Sequence, residues 1–151
     1  MAATLEFELV SPHRLLKSEP VEMVIVPGTE GDMGILPGHA PLIGTVRPGE
    51  IVIFESGKPA ERIFIAGGFV DVSPERCTVL AEEAAPVAEI TRADADERLA
   101  KAKQALADAE SDSDRGTAER RVRIAEALIT TAAGLFVGIP IRPSTPARLT
   151  P

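Results

Sequence analysis

Twenty residues, Val26 to Thr45, carry five glycines and three prolines, and no regular helix can pass through them. Glycine supplies positive φ, whereas proline locks φ and removes a backbone donor. The main chain of such a stretch is set by its own residues and reads as a rigid surface contour, suited to contact. Its side chains hold one imidazole, two carboxylates and no nucleophile beyond threonine hydroxyls. A phosphate loop needs Gly-x-x-x-x-Gly-Lys-Ser/Thr opening a helix. No lysine lies between Lys17 and Lys58, and β-type sequence follows, so that reading fails.

Around this stretch lie runs of strand length. Thr4–Val10 alternates polar and apolar, with Leu5, Phe7 and Leu9 on one face. Residues 21–26, 50–54, 62–66 and 77–81 are further β-branched runs, separated by Pro27-Gly28, Pro48-Gly49, Ser56-Gly57-Lys58-Pro59 and Ser73-Pro74-Glu75-Arg76. Short strands at this spacing, without a helical period, predict a sandwich or flattened barrel. Ser56-Gly57-Lys58 reads as a hairpin turn, and no helix of useful length fits before residue 90.

The pattern then changes. Thr91-Arg92-Ala93-Asp94 matches a capping box. The Ala-rich residues to about Glu110 predict a helix, with Leu99, Ala102, Leu106 and Ala109 as its apolar stripe. Residues 111–116 read as a polar turn. A second helix is expected from about Thr117 to Ala133, with Val122, Ala125, Leu128, Ile129 and Ala132 inward and Gly134 as its stop. Large apolar side chains are few in this pair, so the hairpin must lean on the sandwich or on another protein. The expected architecture is therefore α+β in two segregated parts: an all-β sandwich or flattened barrel over 1–89, then an antiparallel helical hairpin over 90–134. A tail follows over 135–151, with prolines at 140, 143, 146 and 151. It reads as extended, and no function is assigned to it.

Charge narrows the partners. Residues 1–89 carry net −8, residues 90–134 net −1 and the tail two arginines, which gives the total −7. An acidic body repels phosphate backbones and anionic headgroups, so nucleic acid and direct binding to a lipid surface are disfavoured. No run of apolar residues is long enough to span a bilayer. The N-terminus lacks the pattern of a signal or transit peptide, and one cysteine fits a reducing compartment. Cys77 alternates with Val79 and reads as a small core residue. The acid pairs Glu82/Glu83 and Glu30/Asp32 read as solvated charges, since adjacent strand residues face opposite ways. With only His13 and His39, a metal site is not expected.

Several motifs carry a resemblance. Leu9-Val10-Ser11-Pro12, the stretch from Val26 to Thr45 with Pro37-Gly38-His39-Ala40-Pro41-Leu42, Ile65-Ala66-Gly67-Gly68-Phe69 and Ser73 to Leu80 stand in order and spacing. Together they resemble the epsilon subunit of bacterial rotary ATP synthases. The likeness runs through residues 4 to about 89 and fits the two-helix pattern beyond. It implies a non-catalytic rotor subunit, peripheral on the cytoplasmic face of the bacterial inner membrane through its complex. Such a subunit couples the c-ring to the gamma shaft and needs no cofactor. It further implies gamma contacts at Ser11, His39, Leu42, Phe69 and Asp71, and ring contacts at Glu30, Gly31, Asp32 and Met33. For His39 a structural role, bonded to backbone, stands equally open.

The hairpin departs from the family pattern. Many bacterial members bind ATP through Ile/Leu-Asp-x-x-Arg-Ala, and this chain reads Ile90-Thr91-Arg92-Ala93-Asp94-Ala95. Thr91 replaces the acid and Asp94 replaces the arginine, which puts an anion where phosphate would sit, so weak or absent ATP binding is expected. Arg120, Arg121 and Arg123 are either a regulatory contact to the alpha and beta subunits or a solvated helix face. Whether the hairpin inhibits ATP hydrolysis is left open. Two rival readings are a free-standing β-sandwich module for a peptide or sugar, with a helical dimerisation arm, and a small metalloenzyme. The first requires a concave aromatic face, yet the chain has five Phe and no Trp or Tyr. The second suffers from having two histidines.

Overall fold

The structure is a computed structural model that describes residues 3–134. Ten strands precede two helices: β1 (Leu5–Val10), β2 (Leu15–Val21), β3 (Met23–Gly28), β4 (Gly31–Ile35), β5 (Leu42–Val46), β6 (Gly49–Glu55), β7 (Lys58–Ile65), β8 (Gly68–Val72), β9 (Arg76–Ala81) and β10 (Ala84–Pro86). A 3-10 turn at Val87–Glu89 leads to α1 (Arg92–Ala107) and α2 (Asp112–Ala132). The strands follow the order β10-β7-β6-β3-β5-β8-β9-β1-β2, with β4 on β3. Every pairing is antiparallel except β1 with β9, where Phe7 lies opposite Cys77.

The sheet folds over itself into a sandwich because alternation gives it one apolar face. Leu5, Phe7 and Leu9 of β1, Val24 and Val26 of β3, Ile51 and Ile53 of β6, Ile63 and Ile65 of β7, and Cys77 and Val79 of β9 meet in one buried cluster. Period-two patterning makes these contacts, since each strand sends every second side chain inward. At the β6–β7 turn, Ser56 and Gly57 adopt φ of 53° and 73°, and the expected hairpin forms with Glu55 opposite Lys58. Gly68 sits where β8 meets β9, and a Cβ there would lie 1.8 Å from the Leu80 carbonyl oxygen.

The five expected strand runs correspond to β1, β3, β6, β7 and β9. The other five strands were not among them, for physical reasons. β2 holds Lys17, Ser18, Glu19 and Pro20 because it is an edge strand paired only with β1, where polar residues and proline are tolerated. β4 and β5 hide inside the Gly/Pro stretch, and β8 and β10 are five and three residues long.

The helices also differ in detail from the expectation. α2 begins at Asp112, so the residues expected to form a polar turn are its first turn. Ser111 caps it, its hydroxyl accepting from the Asp114 N–H at 3.0 Å, and Asp112 and Asp114 favour the positive end of the helix. Gly134, at φ 72°, follows the C-cap as expected. The buried faces are Ala95 and Ala102 on α1, and Ala118, Ile124, Ala125, Leu128 and Thr131 on α2. Leu99, Leu106, Ala109, Val122, Ile129 and Ala132, all expected inward, are only half-buried. α2 has two surfaces to cover, α1 and the outer side of the sheet, so its buried arc is wider than one stripe. The tail expected over 135–151 lies outside the described residues.

Candidate functional site: two exposed surfaces and a docked hairpin

The outward face of β5, β8, β9, β1 and β2 carries a registered row. Thr45 lies opposite Phe69, Phe69 opposite Leu80, Leu80 opposite Val10, and Val10 opposite Leu15. Phe69 is 58% exposed, Leu80 44% and Leu15 57%, and Ile43 one row away is 78% exposed. Ile43 lies opposite Asp71 and Asp71 opposite Thr78, which faces Glu8. The result is an apolar band with an acidic border on the outside of the sheet, the form of a docking surface rather than of a pocket.

Of the residues expected to meet gamma, Phe69 and Asp71 lie on this face. Leu42 does not: it lies opposite Val72 and packs into the core, so its neighbour Ile43 points outward instead. His39 stands in the loop between β4 and β5. Its Nδ1 is 2.7 Å from the Ala40 carbonyl, and its main-chain N–H donates to the Leu36 carbonyl at 3.1 Å. Ser11 closes the β1–β2 turn, its N–H donating to the Arg14 carbonyl and its hydroxyl accepting from the Arg14 N–H. Both side chains have local partners that fix loop shape. Ile43, Leu80, Val10 and Leu15 were missed by sequence reasoning, although apolar residues at outward positions of alternating strands were a usable signal.

The second surface is the β3–β4 hairpin. Glu30 is exposed at its turn and Gly31 opens β4. Met33 is half-buried against the core, so its side chain is not simply offered outward. Asp32 is exposed, as expected of a solvated charge, and is in addition bonded to Arg47 at 2.6 Å. A groove of about 430 Å³ runs between residues 28–33 and residues 42–45, so Leu42 shares a concavity with the residues expected at the ring.

The hairpin is docked on the sandwich. Phe64 and Ala66 of the sheet pack with Ala95, Ile124 and Leu128, and Val87, Ile90, Ala127 and Ile129 close round them. Arg98 grips Glu83 bidentately at 2.7 and 2.8 Å, and Arg120 pairs with Glu82. Glu82 and Glu83 are thus exposed charges that are also ion-paired across the docking seam, and Arg120 is engaged with its own sandwich. Arg121 lines a shallow basic cleft with Arg98 and Lys101, and Arg123 is exposed. The Arg98 guanidinium holds the Glu83 carboxyl below its ordinary value, against a smaller opposing effect of partial burial.

Thr91 and Asp94 serve the helix end. The Thr91 hydroxyl accepts from the Asp94 N–H at 3.2 Å, and Asp94 stands in the first turn. Cys77 is fully buried, and burial pushes its thiol up to about 12. Among the described residues no three His, Cys, Asp or Glu side chains gather in a metal-holding group. Of the phenylalanines described, Phe7, Phe54 and Phe64 are buried and Phe69 alone is exposed, so the aromatic concavity of a free-standing binding module is not formed there. No described helix is long and apolar enough to cross a membrane.

Residues 4–87 match a family described as ATP synthase, Delta/Epsilon chain, beta-sandwich domain. The ATP synthase epsilon chain of Rhodospirillum rubrum is 52% identical over 134 residues, 89% of this chain and 100% of that relative. The ATP synthase epsilon chain of Paramagnetospirillum magneticum is 53% identical over 133 residues, 88% of this chain and 100% of its own. Among solved structures, a chain of the Euglena gracilis mitochondrial ATP synthase OSCP/F1/c-ring assembly superposes with a TM-score of 0.71 at 26% identity, over 83% of this chain and 79% of that one. A chain of the Tetrahymena thermophila mitochondrial ATP synthase central stalk and c-ring gives 0.65 at 17% identity, over 86% and 97%, a likeness of fold.

Proposed function

This chain belongs to the ATP synthase epsilon-chain family, and from that membership we infer a non-catalytic subunit of the central stalk, joining the gamma shaft to the c-ring. The observation that carries the reading is the 52% identity spanning the whole length of a named epsilon chain. The physical role suits the body. Torque passes without slip only through a part that resists shear, and a sandwich with interiors packed as densely as a crystal does so. In this reading the band of Phe69, Leu80, Val10, Leu15 and Ile43, with Asp71 at its border, seats on gamma, with Ser11 and His39 shaping the adjoining loops and Leu42 supporting them from inside. The hairpin tip of Glu30, Gly31, Asp32 and Met33 faces the ring. The subunit is peripheral, bound to the membrane through its complex, and we assign it to the cytoplasmic face.

Domain roles follow from the same premise. Residues 1–89 couple, residues 90–134 form a regulatory arm, and Arg121 and Arg123 are its candidate contacts to the catalytic subunits, joined by Arg120 once it leaves Glu82. ATP is not a ligand of the arm in this reading, because Asp94 places an anion at the phosphate position of the family motif. Calorimetric titration with millimolar ATP is expected to give no binding heat, and saturation would refute the point. The rotor reading itself is tested by affinity recovery from membranes. A tagged chain should bring gamma and c subunits with it, and recovery of neither overturns the assignment.

A further inference from the structure

The tip assigned to the ring is held by a residue outside the tip. β4 pairs only with β3, so the β4 leg of this hairpin has no second strand to steady it. Arg47, directly after β5, closes on it from the side. Its main-chain N–H donates to the Pro27 carbonyl at 2.9 Å. Its Nη1 donates to the Gly28 carbonyl at 2.6 Å, and its Nη2 donates to Asp32 Oδ1 at 2.6 Å. Thr29 adds two ties to β5, its N–H donating to the Thr45 carbonyl at 3.1 Å and the two threonine hydroxyls lying 2.8 Å apart. The bonds to Gly28 and Asp32 bracket the turn on its two sides. A guanidinium is planar and its donors stand at fixed angles, so both legs of the hairpin are set relative to one rigid group.

We propose that Arg47 is a positioning residue that withdraws Asp32 from the partner-facing groups and aims the turn, so that Glu30 is the carboxylate presented to a basic or amide-bearing loop of the ring. The proposal rests on the rotor reading above. Partly exposed ion pairs add little to global stability. Removing this one therefore changes where the tip points rather than whether the sandwich folds.

Two measurements test it: amide hydrogen exchange of the full-length chain, and ATP-driven proton pumping per ATP hydrolysed by the assembled complex in membrane vesicles. Arg47→Ala should speed exchange of the Thr29 amide about tenfold, as expected when charge-assisted bonds are lost, and should lower pumping per ATP with an unchanged melting temperature. Arg47→Lys, which keeps the charge without the fork, should restore only part of both. Combining Arg47→Ala with Asp32→Asn should be no worse than either alone. Glu30→Gln should lower pumping while leaving exchange untouched. If Asp32→Asn uncouples while Arg47→Ala does not, or if their effects add, Asp32 meets the ring itself and the proposal falls. These outcomes are separable from failure of the rotor reading: loss of gamma and c recovery by the unaltered chain defeats that reading, whereas normal recovery with unaltered exchange in Arg47→Ala defeats only the role of Arg47.

Discussion

Single residues in this protein are set by what lies opposite them, and that is where sequence is least informative. Asp32, Glu82 and Glu83 look alike as exposed acids in a chain, but Arg47, Arg120 and Arg98 reach them from distant positions. Nothing local announces those partners. Cys77 is the contrary case: its alternation with Val79 already placed it in the core, and the structure buries it fully. With its thiol pushed up to about 12, almost no thiolate exists near neutral pH, so iodoacetamide should label Cys77 only after denaturation. Rapid labelling of the native chain would contradict this. Gly68 cannot carry a side chain, because a Cβ would lie 1.8 Å from the Leu80 carbonyl oxygen, at φ 153°. Gly68→Ala should break the β8–β9 ladder and cost more than about 4 kcal/mol, read as loss of a cooperative melt.

At the scale of elements, strands were legible as alternating runs in β1 and β9 and as continuous apolar runs in β3 and β6, and illegible in edge strands, in the Gly/Pro stretch and in the short β8. The start of α2 was misplaced because Ser111-Asp112-Ser113-Asp114 serves equally as turn or cap, and only tertiary packing decides. Its first turns therefore include Gly116, an interior glycine with open space where a Cβ would lie. Gly116→Ala should stabilise α2 by about 0.5–1 kcal/mol, seen as a higher melting temperature for the helical signal. Leu128 bridges α2 to Phe64, and Leu128→Ala should cost about 2–4 kcal/mol, so that helical circular dichroism is lost before the β signal. The Arg98–Glu83 pair adds a pH dependence. A carboxyl held below its ordinary value of 4.5 contributes stability above that value and loses it as pH falls through the lowered one. Glu83→Gln should weaken docking by less than about 1 kcal/mol at neutral pH, given the exposure of both side chains. The two proteins should converge in stability well below pH 4.5.

For the molecule as a whole, the division into a strand-rich part and a helical part was readable because hydrophobic period changes from two to about three and a half near residue 90. Hidden from sequence was the docking of one part on the other, since Phe64 and Ala66 face away from the sandwich interior and give no sign of what covers them. The order of strands was hidden too, and it bears on how the chain is made. β1 leaves the ribosome first and can zip to β2 at once, yet its other neighbour is a parallel strand, with Glu6 opposite Arg76, roughly seventy positions further on. Pairings so far apart in sequence form slowly. Until they form, a two-stranded ribbon with both edges bare invites the same ribbon on a neighbouring nascent chain. Biogenesis of the shaft is thereby tied to the late arrival of β9, and crowded polysomes are where this polypeptide is most exposed to misassembly.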